Sequence, residues 1–203
     1  MLKIAVFVSG RGSNLKSVFN KVPKEKLRIC AVVSDKQDSA ALGFAVDNKI
    51  QVYLVSEKIK EGFVDYNFLL NEFKKTSIDL IVLAGFLKKI PDSFVDSFEN
   101  RIINIHPALL PNYGGKGMYG LNVHKAVFEN NETVSGATVH FVDKIYDNGK
   151  IISREKIDIS DCKNPVEIAE RVLKIEHELL PFVVEKFADG KIKIVNEEVS
   201  ILE

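Results

Sequence analysis

The chain has 203 residues, with 28 basic and 28 acidic side chains and a formal net charge of zero. That balance argues against a sequence-independent nucleic-acid binder, which needs a basic footprint, but leaves room for a small anionic ligand held by a few local donors. The longest apolar run, residues 80–87, is far short of the ~20 residues a membrane helix needs.

The first half alternates strand-like and helix-like segments. Residues 3–8 form an apolar run ending at Ser9-Gly10, and residues 14–22 read as a helix closed by Pro23. Residues 27–33 are β-rich, residues 40–48 helical, and residues 51–55 a further strand. Residues 63–75 are amphipathic at helical spacing, with Phe63, Tyr66, Leu69, Leu70 and Phe73 on one side. Residues 80–84 and 102–106 are apolar strands. Strands apolar on both faces suit a parallel sheet covered by helices. The repeated βα order predicts an α/β fold, an open, doubly wound and mostly parallel sheet with a nucleotide-binding N-terminal half.

After His106 the pattern changes. Residues 107–120 are turn-rich, with Pro107, Pro111, Gly114, Gly115, Gly117 and Gly120. The four glycines predict a mobile flap over residues 114–120. Residues 123–129 read as a short helix. Residues 137–142 and 150–157 read as antiparallel strands joined across Asp147-Asn148-Gly149. Asn164-Pro165-Val166-Glu167 opens a last helix, in which Pro181 is expected to force a kink or a restart. A final β segment follows near residues 191–195. With no repeat or linker, residues 1–203 read as a single domain.

Cys30 and Cys162 make no disulfide framework, and Cys30 reads as a buried thiol. No Cys/His set has metal-ligand spacing, so no metal is expected. The apolar segment at the start is too short for a secretory signal. Together these point to a cytoplasmic protein.

Two segments can carry chemistry. Ser9-Gly10-Arg11-Gly12-Ser13-Asn14 joins a strand to a helix start, where backbone N–H groups attract an anion. The segment is either a phosphate loop or a tight turn capped by Ser13 or Asn14. In Ile102-Ile103-Asn104-Ile105-His106-Pro107, Asn104 and His106 share one face at the carboxyl end of a strand, where open α/β sheets bind ligands. They are either site residues or a satisfied polar pair. Taken alone, Asp147 is a turn residue, His140 a core or edge histidine, and His124 a solvated one. Glu176 sits at the edge of an apolar stripe, either snorkelling or facing a ligand, and His177 is expected to be exposed.

Strung along nearly the whole chain, Ser9–Leu15, Val33-Ser34-Asp35-Lys36, Leu83-Ala84-Gly85-Phe86, Asn104-Ile105-His106-Pro107-Ala108-Leu109-Leu110-Pro111, residues 136–142 and Asp147-Asn148-Gly149 resemble the phosphoribosylglycinamide formyltransferase family. The resemblance implies transfer of a formyl group from 10-formyltetrahydrofolate to the amine of glycinamide ribonucleotide. It implies catalytic Asn104, His106 and Asp147, a substrate phosphate loop of Gly12, Ser13 and Asn14, and a substrate-binding carboxylate at Glu176. It also implies folate contacts at Leu87, Lys88, Lys89 and Ile90, at Asn104, and at Asp143, Lys144, Ile145 and Tyr146. Phe63 stands where family members can carry an arginine. The implied partners are small molecules, with no nucleic acid or membrane, in a monomer or weak homodimer. The residue types suit the chemistry. Asn104 and a protonated His106 can donate to a developing oxyanion, and Asp147 can hold His106 protonated. Two alternatives remain: formyl transfer to another amine, or a non-catalytic nucleotide-binding module.

Overall fold

A computed structural model describes residues 1–202, which fall into two compact units, residues 1–103 and residues 104–202. The first carries β1 (Leu2–Val8), α1 (Ser13–Lys21), β2 (Leu27–Ser34), α2 (Ala40–Asp47), β3 (Gln51–Leu54), α3 (Tyr66–Thr76), β4 (Leu80–Leu83) and α4 (Asp92–Ser97). Strand β5 (Ile102–His106) begins in the first unit and ends in the second. The second adds α5 (Leu121–Glu129), β6 (Val134–Phe141), β7 (Ile151–Asp158), α6 (Pro165–Ala188), β8 (Ile192–Val195) and β9 (Glu198–Ile201). The hydrogen-bonded strand order is β3-β2-β1-β4-β5-β6-β7, with β8-β9 as a separate pair. Strand β1 pairs in parallel with β2 and β4, and β2 with β3. Strands β6 and β7 are antiparallel. This is the expected α/β architecture, a mostly parallel sheet with antiparallel strands added late in the chain.

In the first unit the core is aromatic. Phe7 is fully buried in β1 and meets Phe73, Phe86 and Phe94 edge-on at centroid distances of 6.2, 5.3 and 6.1 Å. Phe94 also stacks on Phe98 at 5.5 Å and meets Tyr66 at 5.4 Å. Helix α4, which places Phe94, has only six residues and was not legible as a periodic segment. Helix α3 starts at Tyr66, not at residue 63. Asp65 caps it by accepting the Phe68 N–H at 2.7 Å, and the chain before it is extended, Val64 bridging Val55. Cys30 is half-exposed rather than buried. The β1–β2 register skips it, passing from Ile4↔Ile29 to Ala5↔Ala31, and β3 begins only opposite Ala31.

In the second unit α6 opens as expected. The Asn164 side chain accepts the N–H groups of Val166 and Glu167, both at 3.0 Å, with Pro165 in the first turn. Pro181 neither ends nor restarts the helix, which runs unbroken to Ala188. A proline there removes one intrahelical donor, and the buried stripe Val172, Leu179, Leu180, Val183 and Val184 holds the helix through it. The final β segment is a hairpin, turned by Asn196 and Glu197 at φ 50 and 69°.

Phe94→Ala should destabilise the protein by roughly 3–5 kcal/mol, the range for deleting a buried aromatic ring. Urea unfolding followed by circular dichroism checks this, and a loss under about 1 kcal/mol would mean the cluster is not the core of the first unit.

Candidate active site

In the first unit, one serine organises the carboxyl ends of three strands. Ser9 Oγ donates to Asp35 Oδ1 at 2.6 Å, just beyond β2, and accepts the Leu87 N–H at 2.9 Å, beyond β4. Its own N–H goes to the Gly85 carbonyl at 3.0 Å. The following loop is fixed by Ser39 Oγ donating to the Gly10 carbonyl at 2.7 Å. Gly12 has φ 71°, and a Cβ there would lie 2.6 Å from Ala41 Cβ, so both conformation and space require glycine. Helix α1 then begins with no side-chain cap and no acidic residue in its first turn. Gly12 and Asn14 are buried and Ser13 half-buried. Further along, Leu87 is 40% exposed and Ile90 is buried. Lys88 and Lys89 are exposed, Lys89 pairing with Asp92 at 2.8 Å. A separate cleft of about 520 Å³ opens at the amino ends of β1 and β2. Two of its lysines serve backbone carbonyls, Lys24 that of Phe19 and Lys3 that of Thr76.

In the second unit, Asn104, His106, His140 and Asp147 come together. His140 Nδ1 lies 2.7 Å from the Phe141 carbonyl. A carbonyl only accepts, so Nδ1 carries the proton. His140 Nε2 then accepts from Asn104 Nδ2 at 3.1 Å, which leaves the second N–H of that amide for a ligand. His106 Nε2 lies 2.8 Å from the Tyr113 carbonyl, so by the same argument Nε2 carries the proton and Nδ1 is the open nitrogen. Nδ1 is 3.6 Å from Asp147 Oδ2, and Asp147 Oδ1 is 3.6 Å from His140 Nε2. Asp147 Oδ2 also accepts the Gly115 N–H at 2.9 Å.

The electrostatics correct one expectation. Burial pushes His106 below the ordinary histidine value, and His140 adds to this. Asp147 and the Tyr113 carbonyl pull the other way but do not win. The resting imidazole is therefore neutral at pH 7, not protonated, and Asp147 only partly restores the basicity that burial removes. Asp147 lies below the usual carboxylate range although burial alone would raise it: the Gly115 N–H favours the carboxylate, and the His140 and His106 imidazoles favour it when they carry a proton on the nitrogen that faces it.

Chain geometry explains why these groups meet. Asp147 sits in the left-handed region at φ 54°, within the loop of residues 142–150 rather than in a tight two-residue hairpin. That loop is closed by the Phe141 N–H on the Lys150 carbonyl at 2.9 Å. A Cβ on Gly149 would lie 1.8 Å from the Phe141 carbonyl oxygen, so only glycine lets the chain return here. Asp143 holds the loop from inside, accepting from Ile145 N–H at 2.8 Å and Asn148 Nδ2 at 3.2 Å. Lys144, Ile145 and Tyr146 are exposed.

The remaining polar positions differ from expectation in part. Glu176 is only 8% exposed on α6, so it is not snorkelling. His177 is half-buried rather than exposed. His124 is not solvated but buried, with Nδ1 unpartnered among the described residues. It faces inward with Val123 and Val127, which the sequence spacing allowed but the helix start concealed. His140 is the buried core histidine that the sequence suggested; what sequence reasoning missed is that it meets Asn104 and Asp147. It shares a strand face with Thr138, and that alternation was the one available signal. No group of three or more His, Cys, Asp or Glu among the described residues can hold a metal.

Buried neutral histidines make stability depend on pH. Burial, helped by His106, pushes His124 down to about 4, while its unfolded value is near 6.5. Below 6.5 the unfolded chain binds the proton first, so stability present above that pH is lost as pH falls through about 4. Chemical unfolding from pH 7 to 4.5 should show a loss of up to roughly 1.4 kcal/mol per pH unit from this group. His124→Phe should flatten that slope; an unchanged slope would contradict the assignment.

Comparison with known proteins places this geometry. The formyl transferase family matches residues 2–184. A chloroplastic phosphoribosylglycinamide formyltransferase of Arabidopsis thaliana is 39% identical over 206 residues, covering 99% of this chain and 70% of that protein. The phosphoribosylglycinamide formyltransferase of Escherichia coli K12 is 32% identical, covering 95% of this chain and 90% of its own length. The crystal structure of phosphoribosylglycinamide formyltransferase from Anaplasma phagocytophilum superposes with a TM-score of 0.89 at 29% identity, covering 100% of this chain and 94% of that one. The chain belongs to the formyl transferase family, among its phosphoribosylglycinamide formyltransferases.

Proposed function

We propose that Asn104, His106 and Asp147 carry the chemical step of this chain. The observation that supports it is the buried His106 imidazole with its open Nδ1 3.6 Å from an ionised Asp147. The reaction is transfer of the formyl group of 10-formyltetrahydrofolate to the amine of glycinamide ribonucleotide, giving formylglycinamide ribonucleotide and tetrahydrofolate, in purine synthesis.

The folate supplies an activated formyl group. As the amine nitrogen bonds to the formyl carbon, negative charge grows on the formyl oxygen, and the uncommitted Asn104 N–H donates to it. The amine must lose a proton and the departing folate nitrogen must gain one. His106 Nδ1 is the nitrogen open to take and return that proton, and Asp147 stabilises the imidazolium while it exists.

Gly12, Ser13 and Asn14 take the ribonucleotide phosphate, supported by an uncapped helix start without acidic residues. Glu176, a carboxylate on α6, serves the same substrate. Leu87, Lys88, Lys89 and Ile90, and separately Asp143, Lys144, Ile145 and Tyr146, serve the folate. Support comes from the exposed apolar surface of Leu87, Ile145 and Tyr146, which suits a flat heterocycle. Residues 114–120 act as a flap whose front edge is anchored by Gly115. We read the chain as one formyltransferase domain acting as a monomer or weak homodimer in the cytoplasm. Its two free cysteines fit a reducing compartment. No helix among the described residues is long and apolar enough to cross a membrane.

Purified protein given both substrates should release deformylated folate only when the ribonucleotide is present. Asp147→Asn should lower kcat by roughly two decades with KM little changed. Because Asp147 raises His106, the variant's acid limb in kcat/KM should move to lower pH. Release without the ribonucleotide, or ligand binding without turnover, would overturn the reading in favour of another acceptor or a binding module.

A further inference from the structure

The His106–Asp147 pair is spanned by one stretch of backbone. Tyr113 presents its carbonyl to His106 Nε2 at 2.8 Å, and two residues later Gly115 presents its N–H to Asp147 Oδ2 at 2.9 Å. Both residues have positive φ, 57 and 97°. Between them, Gly114 is packed so closely that a Cβ would lie 2.5 Å from Leu110 Cδ2 and 3.1 Å from Asp147 Cβ. The position of Leu110 therefore limits where this bridge can lie, and through it where the imidazole and the carboxylate lie.

Leu110 is gripped from both sides. Its N–H goes to Thr138 Oγ1 at 3.1 Å, and Thr138 donates in turn to the Ala108 carbonyl at 2.6 Å. Its carbonyl accepts from Arg154 Nη1 at 2.8 Å. Thr138 and Arg154 are register partners on β6 and β7, so both project from one sheet face. Thr138 is fully buried, and its two bonds satisfy a polar group that had to be paired. Arg154 is exposed, so its own burial does not require the bond; the bond pairs the carbonyl of Leu110, which is only 1% exposed. A charged donor on a neutral carbonyl is among the stronger hydrogen bonds, and it is aimed at the residue against which the bridge packs.

We propose that Arg154 is a positioning residue for the formyl transfer, acting through the Leu110 carbonyl and the Tyr113–Gly115 bridge to keep the proton of His106 on Nε2 and to hold Nδ1 open toward Asp147. The proposal rests on the function given above for His106 and Asp147. It assigns no contact between Arg154 and substrate.

Arg154→Met keeps an apolar stem and removes the donors; Arg154→Lys keeps a cationic donor group without the guanidinium fork. Imidazole ¹⁵N resonances, with His106 identified by its loss in His106→Asn, report the tautomer without substrate. The wild type should show His106 protonated on Nε2. Arg154→Met should shift it toward a mixture of tautomers, lower kcat about tenfold and leave KM for both substrates within about twofold, a scale expected for misplacing a catalytic group. Arg154→Lys should recover part of both effects. A wild-type tautomer in Arg154→Met overturns the proposal, as does a loss of kcat that follows only a lowered melting temperature and is not recovered by lysine. If the wild type transfers no formyl group, the function fails, while the tautomer measurement still decides whether Arg154 positions His106.

Discussion

The site depends on an ionised carboxylate held against a neutral, buried imidazole. Burial alone would make each group unwilling to carry charge: it lowers His106 and raises Asp147. What resolves the conflict is local. Asp147 stays charged because the Gly115 N–H binds it and because either facing imidazole, once protonated, favours the carboxylate. His106 stays neutral because the same carboxylate, 3.6 Å away, does not fully offset the lost water. In the proposed reaction this makes His106 an imidazole that gains a proton when a substrate delivers one, with the stabilising charge already in place. Preorganised groups of this kind need no rearrangement during the reaction.

Backbone rather than side chain does much of the fixing. The Tyr113 carbonyl and the Phe141 carbonyl set the protonated nitrogens of His106 and His140, and the Gly115 N–H binds Asp147. Such contacts demand close approach, and the glycines follow from that demand. Gly114 and Gly149 sit where a Cβ would meet Leu110 or the Phe141 carbonyl. The first unit uses the same device at Gly12, pressed against Ala41, while Ser9 ties three strand exits with one side chain.

Much of this was legible in the sequence, for identifiable reasons. Parallel strands bury both faces, so β1, β2 and β4 stand out as apolar runs. Asn104 and His106 are conspicuous because polar groups are out of place in such a strand. Helix α4 is too short for a period to show, and β9 follows a turn that its residues, Asn196 and Glu197, mark only weakly. Asp147 looks like a turn residue because it is one; its site role comes from pairings across more than 30 positions, which no local pattern encodes. His124 was misjudged for the same reason, and His140, the core histidine it was expected to be, gave no sign of its partners, since neighbours distant in sequence decide what surrounds a histidine. The resting charge of His106 is a balance of opposing terms and requires coordinates.

The central claim is that His106 and Asp147 act as one unit, and a double-mutant cycle on kcat/KM with His106→Asn and Asp147→Asn tests it most directly. If the carboxylate works through the imidazole, the double variant should be little worse than the poorer single variant, as groups serving one transition state are not additive. If the two losses simply multiply, the residues act independently, and Asp147 is a turn aspartate beside Asn148 and Gly149.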